Sequence, residues 1–158
     1  MKERARPGDI LFYSVTPQSG WVARFIAMAQ FWRKEGVGSV QYSHVSIVLR
    51  DTNYQVEAYW PRIRKSKINW SDDNLELCEI RGISEKQRCD MIISAMEAIG
   101  QWYDLGTFFF GLFNFKNAEI CTTLVRSTAA AIGVRLGYDY GKLLTPNELR
   151  NDVQLREK

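Results

Sequence analysis

Apolar and polar residues alternate along several short segments in the first half of the chain. The alternation covers residues 10–13, 43–50 and 54–60, and a polar turn at 51–53 separates the last two segments. A period of two is typical of half-buried strands. We therefore predict three strands here, with antiparallel pairing of the last two through the turn.

Two further segments with similar alternation, 62–69 and 75–80, predict two more strands. Pro61 directly precedes the first of them, and because proline cannot donate a ladder hydrogen bond, we expect 62–69 to lie at an edge of the sheet. The densest basic stretch of the chain falls on this strand: Arg62, Arg64, Lys65 and Lys67. Charges interleaved with apolar residues indicate the solvent face of a strand rather than a nucleic-acid-binding patch.

Helical spacing of apolar residues occurs over 21–32 and again after a capping-box pair, Ser84 and Gln87. We expect the second helix to bury one apolar face, made of Cys89, Ile92, Ile93, Met96 and Ile99. A third helix is predicted from about 119 to 132, and a short helix after Thr145. Strands followed by helices indicate one α+β domain over 1–158, with its core at about 6–150.

The composition is that of a globular protein, with 158 residues, 46% hydrophobic and 25% charged, and a net charge of +3. The three cysteines are widely spaced and include no Cys-x-x-Cys pair, which argues against a disulfide framework and a zinc knuckle. The first seven residues are not followed by the apolar run of a signal peptide. We therefore expect a cytoplasmic protein without a transmembrane segment.

The only histidine of the chain lies on a predicted strand. Pairing through the 51–53 turn places position 44 opposite about 57 or 58, so His44 would face the Glu57 carboxylate. Cys121 lies in the first turn of the third helix, where unpaired backbone N–H groups favour a thiolate. A thiol, an imidazole and a carboxylate are the parts of a cysteine-nucleophile site, so these three residues are the candidate catalytic set.

Each cysteine and each partner also has an ordinary structural interpretation. A lone histidine on a strand is more often a surface or hydrogen-bonded residue, and Glu57 alone is most simply solvent-facing. Cys78 and Cys89 fall on a strand and on an apolar helix face, where free cysteine acts as a small buried hydrophobe. A helix end contributes only about 0.3–1 kcal/mol to a thiolate, so activation of Cys121 depends on His44.

Six short segments follow one another in a characteristic order: 6–12, 42–48, 56–58, 103–104, 120–125 and 145–149. Together they resemble the circularly permuted branch of the NlpC-type cysteine peptidase superfamily, the YiiX-like proteins. The resemblance implies a permuted papain-like α+β fold, with an antiparallel sheet packed against helices that include the nucleophile helix. It also implies Cys121 as the nucleophile, His44 as the general base and Glu57 as the residue that orients His44.

The same resemblance implies that Tyr103 lies near the site and binds substrate or shapes the oxyanion region; a packed aromatic is the alternative. Asp9, after Pro-Gly, is interpreted as a structural turn residue. The family often has an acidic residue where this chain has Thr123, so this chain lacks the side chain for any substrate contact that the acid makes. The resemblance implies a bacterial or phage-encoded protein, and the chemistry calls for no metal and no organic cofactor.

Three functions fit these features. The first is a cysteine hydrolase that cleaves cell-wall-type peptides or related small amides through a thioester. The second is a lipid-directed thiol acyltransferase or thioesterase of the lecithin-retinol-acyltransferase-like type. The aromatic segment 105–115 and the amphipathic helix 21–32 favour this function through peripheral membrane contact. The third is a papain-like binding module, which the complete Cys, His and Glu set disfavours. The sequence does not indicate the oligomeric state.

Overall fold

The structure is a computed structural model that describes residues 2–16, 24, 42–59, 61–102, 121–137, 144–152 and 154–158. Among these residues, six strands form one antiparallel sheet, and three α-helices accompany it. The α+β class predicted from the sequence is therefore confirmed. The predicted helix over 21–32, apart from Arg24, and the aromatic segment 105–115 lie outside the described residues.

The strands are β1 Ile10–Ser14, β2 Tyr42–Val48, β3 Tyr54–Tyr59, β4 Arg62–Lys67, β5 Leu75–Ile80 and β6 Leu155–Glu157. Their order across the sheet is β4-β3-β2-β1-β5-β6, and each neighbouring pair is antiparallel. β4 lies at an edge, as the preceding proline predicted, and its four basic residues are exposed. β6 was not predicted, because three residues of mixed polarity give no periodic signal.

The β2–β3 hairpin, which carries two of the candidate residues, is closed by the predicted polar turn. The Asp51 side chain accepts a hydrogen bond from the Asn53 backbone N–H at 3.0 Å, and the Asp51 carbonyl accepts one from Tyr54 at 2.9 Å. An aspartate that bonds the backbone two residues on stabilises a tight reversal of the chain. The turn thereby sets the register of the two strands.

The helices are α1 Glu85–Glu97, α2 Cys121–Ala131 and α3 Pro146–Arg150. α1 begins with the predicted capping box of Ser84 and Gln87, and Thr145 forms a second one at the start of α3. Gly133 follows the end of α2 with a φ of +80°, a conformation that glycine adopts without steric cost.

The main hydrophobic core lies between the helices and one face of the sheet. It includes Val45, Ile47 and Val56 of the sheet, Met91 and Ala95 of α1, and Leu124, Val125 and Ala129 of α2. A smaller cluster covers the other face and contains Leu11, Val48, Ile68, Leu75 and Leu77. β2 is therefore buried on both sides, which gives a candidate site on this strand a rigid support.

α1 buries a face that shares only Ile92 with the predicted one. Its buried residues are Arg88, Met91, Ile92 and Ala95, whereas Ile93 is 55% and Met96 50% exposed. Arg88 donates to Asp9 Oδ1 at 2.8 Å and to Glu79 Oε2 at 3.3 Å, and this pairing holds the arginine inward. The buried stripe still has helical spacing, but an ion pair selects it, and a pattern of apolar residues does not contain that information.

Asp9 has the structural role that its place in the turn indicated. It is fully buried, and besides Arg88 it accepts hydrogen bonds from the Arg6 backbone N–H at 2.8 Å and from Lys158 Nζ at 2.7 Å. These bonds join the N-terminal turn, α1 and the last residue of the chain. A buried carboxylate with this many donors stabilises the arrangement only while all partners remain in place.

Candidate active site

His44 and Glu57 lie side by side on β2 and β3. His44 Nε2 and Glu57 Oε2 are 2.9 Å apart, a hydrogen-bond distance. The residue directly opposite Glu57 is Ser46, so the predicted pairing of position 44 with 57 or 58 was wrong in register. A pairing of position 44 with 57 differs from the observed register by two residues, and the side chains of a strand alternate between its two faces with a period of two residues. His44 and Glu57 therefore stay on one face and meet diagonally.

The second oxygen of the Glu57 carboxylate is held by β4. Arg64 is paired directly with Glu57, and its Nε donates to Glu57 Oε1 at 3.0 Å. Burial would raise the pKa of Glu57, but the hydrogen bonds and charges of His44, Ser66 and Arg64 outweigh it and lower the pKa to about 2. Glu57 is therefore a fixed carboxylate at any pH near neutral.

The His44 imidazole interacts with Cys121 as well as with Glu57. Burial would lower the pKa of His44, but a hydrogen bond with Cys121, a hydrogen bond with Glu57 and the charges of both raise it to about 9. His44 is accordingly an imidazolium at neutral pH, and an adjacent imidazolium favours the thiolate form of a cysteine.

Cys121 is the first residue of α2 and is only 3% exposed. Two neighbours in the helix, Leu124 and Val125, belong to the main core and hold α2 against the sheet. Thr122 Oγ1 donates to the Leu144 carbonyl oxygen at 2.6 Å, which ties the start of the helix to the segment that precedes α3. The backbone N–H groups of the first helical turn have no acceptor within the helix.

A β-bulge lies beside His44. Tyr13 of β1 is paired with His44, but the next residue, Ser14, is paired with Tyr42, so Ser43 has no partner on β1. Bulges bend a strand and turn the neighbouring side chains, and they are common next to active sites. Here the bulge lies directly beside His44, near the start of β2.

A buried polar network supports the same face of the sheet. The Tyr13 ring lies 5.3 Å from the His44 ring, and the Tyr13 hydroxyl donates to Gln55 Oε1 at 2.5 Å. Ser46 donates to the same oxygen at 2.5 Å, and Gln55 Nε2 donates to Ser66 Oγ at 3.1 Å. Burial raises the pKa of Tyr13 to about 12 despite these hydrogen bonds, so the phenol remains a hydrogen-bond donor.

Three of these supporting residues were missed by sequence reasoning: Arg64, Tyr13 and Gln55. Arg64 was interpreted as a solvent-facing strand residue, and it is 51% exposed, but it also bonds the candidate carboxylate. The signal that could have identified it is the β3–β4 register, which places it opposite Glu57. Tyr103, a candidate substrate-binding residue, lies outside the described residues.

The two other cysteines differ from Cys121. Cys78 is buried, as predicted; burial raises the pKa of its thiol to about 12, aided by Glu76 and opposed by the charge of Arg150. Cys89 was expected on a buried helix face and is instead exposed, because α1 turns its Arg88 side toward the sheet. Among the three thiols, an imidazole partner is found for Cys121 alone within the described part of the chain.

The described residues contain no group of three or more histidine, cysteine, aspartate or glutamate side chains that could hold a metal ion. Within the same ranges, no helix has the length and apolar character needed to cross a membrane. Comparison with protein-family models finds no match to the chain, and comparison with curated proteins finds no significant match.

Proposed function

We propose that the protein is a cysteine hydrolase in which Cys121, His44 and Glu57 cleave an amide bond through a thioester intermediate. One observation carries the proposal: His44 is bonded to Glu57 at 2.9 Å, and against the effect of burial, Cys121 and Glu57 together raise the pKa of His44 to about 9. This is the electrostatic arrangement that turns a thiol into a nucleophile.

The reaction begins with attack of the Cys121 thiolate on the carbonyl carbon, which forms a C–S bond and moves negative charge to the oxygen. The Cys121 backbone N–H is the proposed first donor to that oxygen. The His44 imidazolium then gives its proton to the amide nitrogen, the C–N bond breaks, and a thioester remains. Neutral His44 next takes a proton from water, the hydroxide releases the acyl group as a carboxylic acid, and the thiolate–imidazolium pair is restored.

Glu57 would act on His44 rather than on the substrate. Its carboxylate accepts from Nε2, fixes the ring orientation and stabilises the positive charge that His44 carries before proton transfer. Arg64 holds the other carboxylate oxygen and limits rotation of Glu57. Four side chains thus follow one another from β4 to α2, and each positions the next: Arg64, Glu57, His44 and Cys121.

The proposed fold family is the permuted NlpC-type branch of papain-like enzymes, and the proposed substrates are cell-wall-type peptides or related small amides. Support comes from the chain order His44, Glu57, Cys121 and from an antiparallel sheet packed against the helix that Cys121 begins. A lipid-directed thioesterase uses the same thiol chemistry. The segments that favoured it, 21–32 apart from Arg24 and 105–115, lie outside the described residues.

Alkylation by iodoacetamide, followed site by site with mass spectrometry from pH 5 to 9, tests the proposal. We expect Cys121 to react faster than Cys89 below pH 7 despite its burial, because an adjacent imidazolium favours the nucleophilic form of a cysteine. Cys78 should remain the least reactive thiol, since its pKa is about 12. The His44→Ala variant should lose the advantage of Cys121 while Cys89 is unchanged.

A reactivity of Cys121 that matches Cys78, or that is the same with and without His44, would contradict the proposal. Circular dichroism of His44→Ala confirms that any loss is not due to unfolding. Hydrolysis of peptide amides compared with short acyl esters then separates an amidase from a lipid-type thioesterase. Cys121→Ala should abolish either activity.

A further inference from the structure

A cationic and aromatic surface lies next to the His44–Glu57 pair. The β3–β4 register pairs Tyr59 with Arg62 and Glu57 with Arg64, so these side chains share the sheet face that carries His44. The Tyr59 ring meets the His44 ring edge-on, with 6.3 Å between the centroids. The surface therefore begins at the imidazole and continues across two strands to the edge of the sheet.

Both arginines of this surface are stacked on aromatic rings. The guanidinium carbon of Arg62 lies 4.4 Å from the centroid of Trp102, and that of Arg64 lies 4.0 Å from the centroid of Tyr59. The backbone fixes the first of these stacks, because Arg62 and Trp102 form a β-bridge and the Ile63 N–H donates to the Gln101 carbonyl at 2.9 Å. A stacked guanidinium loses little freedom when its N–H edge binds an oxyanion.

The two arginines differ in their charge partners. Arg64 is paired with Glu57, whereas Arg62 is exposed and forms no ion pair with a carboxylate in the described ranges. Trp102 is 67% and Tyr59 51% exposed. Exposed tryptophan, tyrosine and arginine side chains that lie together have the composition of a binding hot spot. The charge of Arg62 is therefore available to a ligand.

We propose that Arg62, on its Trp102 support, binds an oxyanion group of the substrate, a carboxylate or a phosphate, and so directs the scissile carbonyl to the catalytic residues. This inference rests on the proposed hydrolase function. His44, Tyr59 and Arg62 follow one another across three strands, a span of about 10 Å between the outer backbones. A compact substrate with its anionic group a few bonds from the scissile amide fits this spacing.

The first test measures binding without catalysis, in a Cys121→Ala background. N-acetyl-β-alanine supplies a carboxylate, its neutral amide is the matched control, and O-phospho-N-acetylethanolamine supplies a phosphate. Titrations are followed by NMR on the Arg62 Nε–H and on the ring of His44, the only histidine of the chain. We expect an anionic probe to shift both signals at lower concentration than the neutral amide, and the tighter anion identifies the preferred group.

Two charge-removing variants separate a local site from general attraction. Arg62→Gln should weaken binding of the anionic probe by roughly threefold to tenfold, the loss expected for one charge-assisted contact at an exposed position. Lys67→Gln removes the same charge from the same strand, but on the other sheet face and five residues away, and should leave binding unchanged.

Equal affinity for the anionic and neutral probes, equal losses in the two variants, or a shift of Arg62 without a shift of His44 would overturn the inference. These outcomes are independent of thiol chemistry, so they are distinct from a failure of the alkylation test. In protein that retains Cys121, kcat/KM can be compared for an ester with a free carboxylate, 4-nitrophenyl hydrogen glutarate, and a neutral one, 4-nitrophenyl valerate. The ratio of the first to the second should fall in Arg62→Gln and stay unchanged in Lys67→Gln.

Discussion

Glu57→Gln replaces the carboxylate beside His44 with a neutral amide of nearly the same size, and we expect it to lower the pKa of the imidazole. In the native protein, Glu57 Oε2 lies 2.9 Å from His44 Nε2 and its negative charge favours the imidazolium. The amide oxygen can still accept a hydrogen bond, but it carries no full charge. The variant therefore removes the electrostatic part of the interaction and keeps most of the packing.

The size of the effect follows from the raised pKa of His44. A rise from 6.5 to about 9 corresponds to roughly 3 kcal/mol of preference for the imidazolium, at about 1.4 kcal/mol per pKa unit. Cys121 and Glu57 share this preference, so the loss of one charge should lower the pKa of His44 by on the order of one unit. The imidazolium form of His44 would then lose its proton at a pH about one unit lower.

Because the chain has a single histidine, NMR titration of the imidazole Cε1–H signal reports His44 without assignment. The imidazole of the native protein should titrate near pH 9, and that of Glu57→Gln at a lower pH. Glu97→Gln, a control on the exposed side of α1, should titrate like the native protein. A native midpoint near 6.5, or a midpoint that Glu57→Gln does not move, would refute the reasoning. Since His44 would then lack the coupling to its partners, the proposed site would lose its main support.

Further predictions concern stability and the outer partners of the site. The raised pKa of His44 stabilises the folded state fully below pH 6.5, and this stabilisation is lost as the pH rises through about 9. In urea unfolding, the free energy of unfolding of the native protein should therefore fall more steeply at alkaline pH than that of His44→Gln. Arg64→Gln should raise the pKa of Glu57 above its native value of about 2, as followed by NMR titration of the Glu57 carboxyl carbon, and the rise should be modest because Arg64 is 51% exposed. Arg88→Met should lower the free energy of unfolding by about 3 kcal/mol, because it removes the most buried cation from Asp9 and Glu79 and leaves them only Lys158 and Arg156, while Lys86→Met on the exposed side should not.

Elements with strong local signals were predictable from the sequence. The β2–β3 hairpin follows from alternation and a turn whose aspartate bonds the backbone, and both capped helices follow from side chains that satisfy their own first turn. The edge position of β4 follows from the proline before it. In each case the physical cause lies within a few residues of the chain.

Features that depend on distant partners were not predictable in the same way. The buried face of α1 is selected by Arg88, whose partners Asp9 and Glu79 lie elsewhere in the chain. β6 pairs with β5, and its Arg156 forms an ion pair with Glu79. The ion pairs and β6 produce no periodic pattern of apolar residues in the sequence. A charged residue contributes the same polar position to that pattern whether it is solvated or buried with a partner.

The His44–Glu57 pair shows how an approximate register can still identify a site. The sequence put position 44 opposite about 57 or 58, whereas the residue opposite Glu57 is Ser46. The alternative at 57 is off by two residues, yet the side chains meet, because a two-residue shift keeps every side chain on its face. The alternative at 58 is off by one residue, and Ala58 lies with Val56 on the other face, in the main core, where it could not meet His44. The face of a strand is thus the property that sequence alternation determines best. The exact cross-strand partner of each residue depends on the geometry of the turns, so the pairing of Arg64 with Glu57 is seen only in the folded structure.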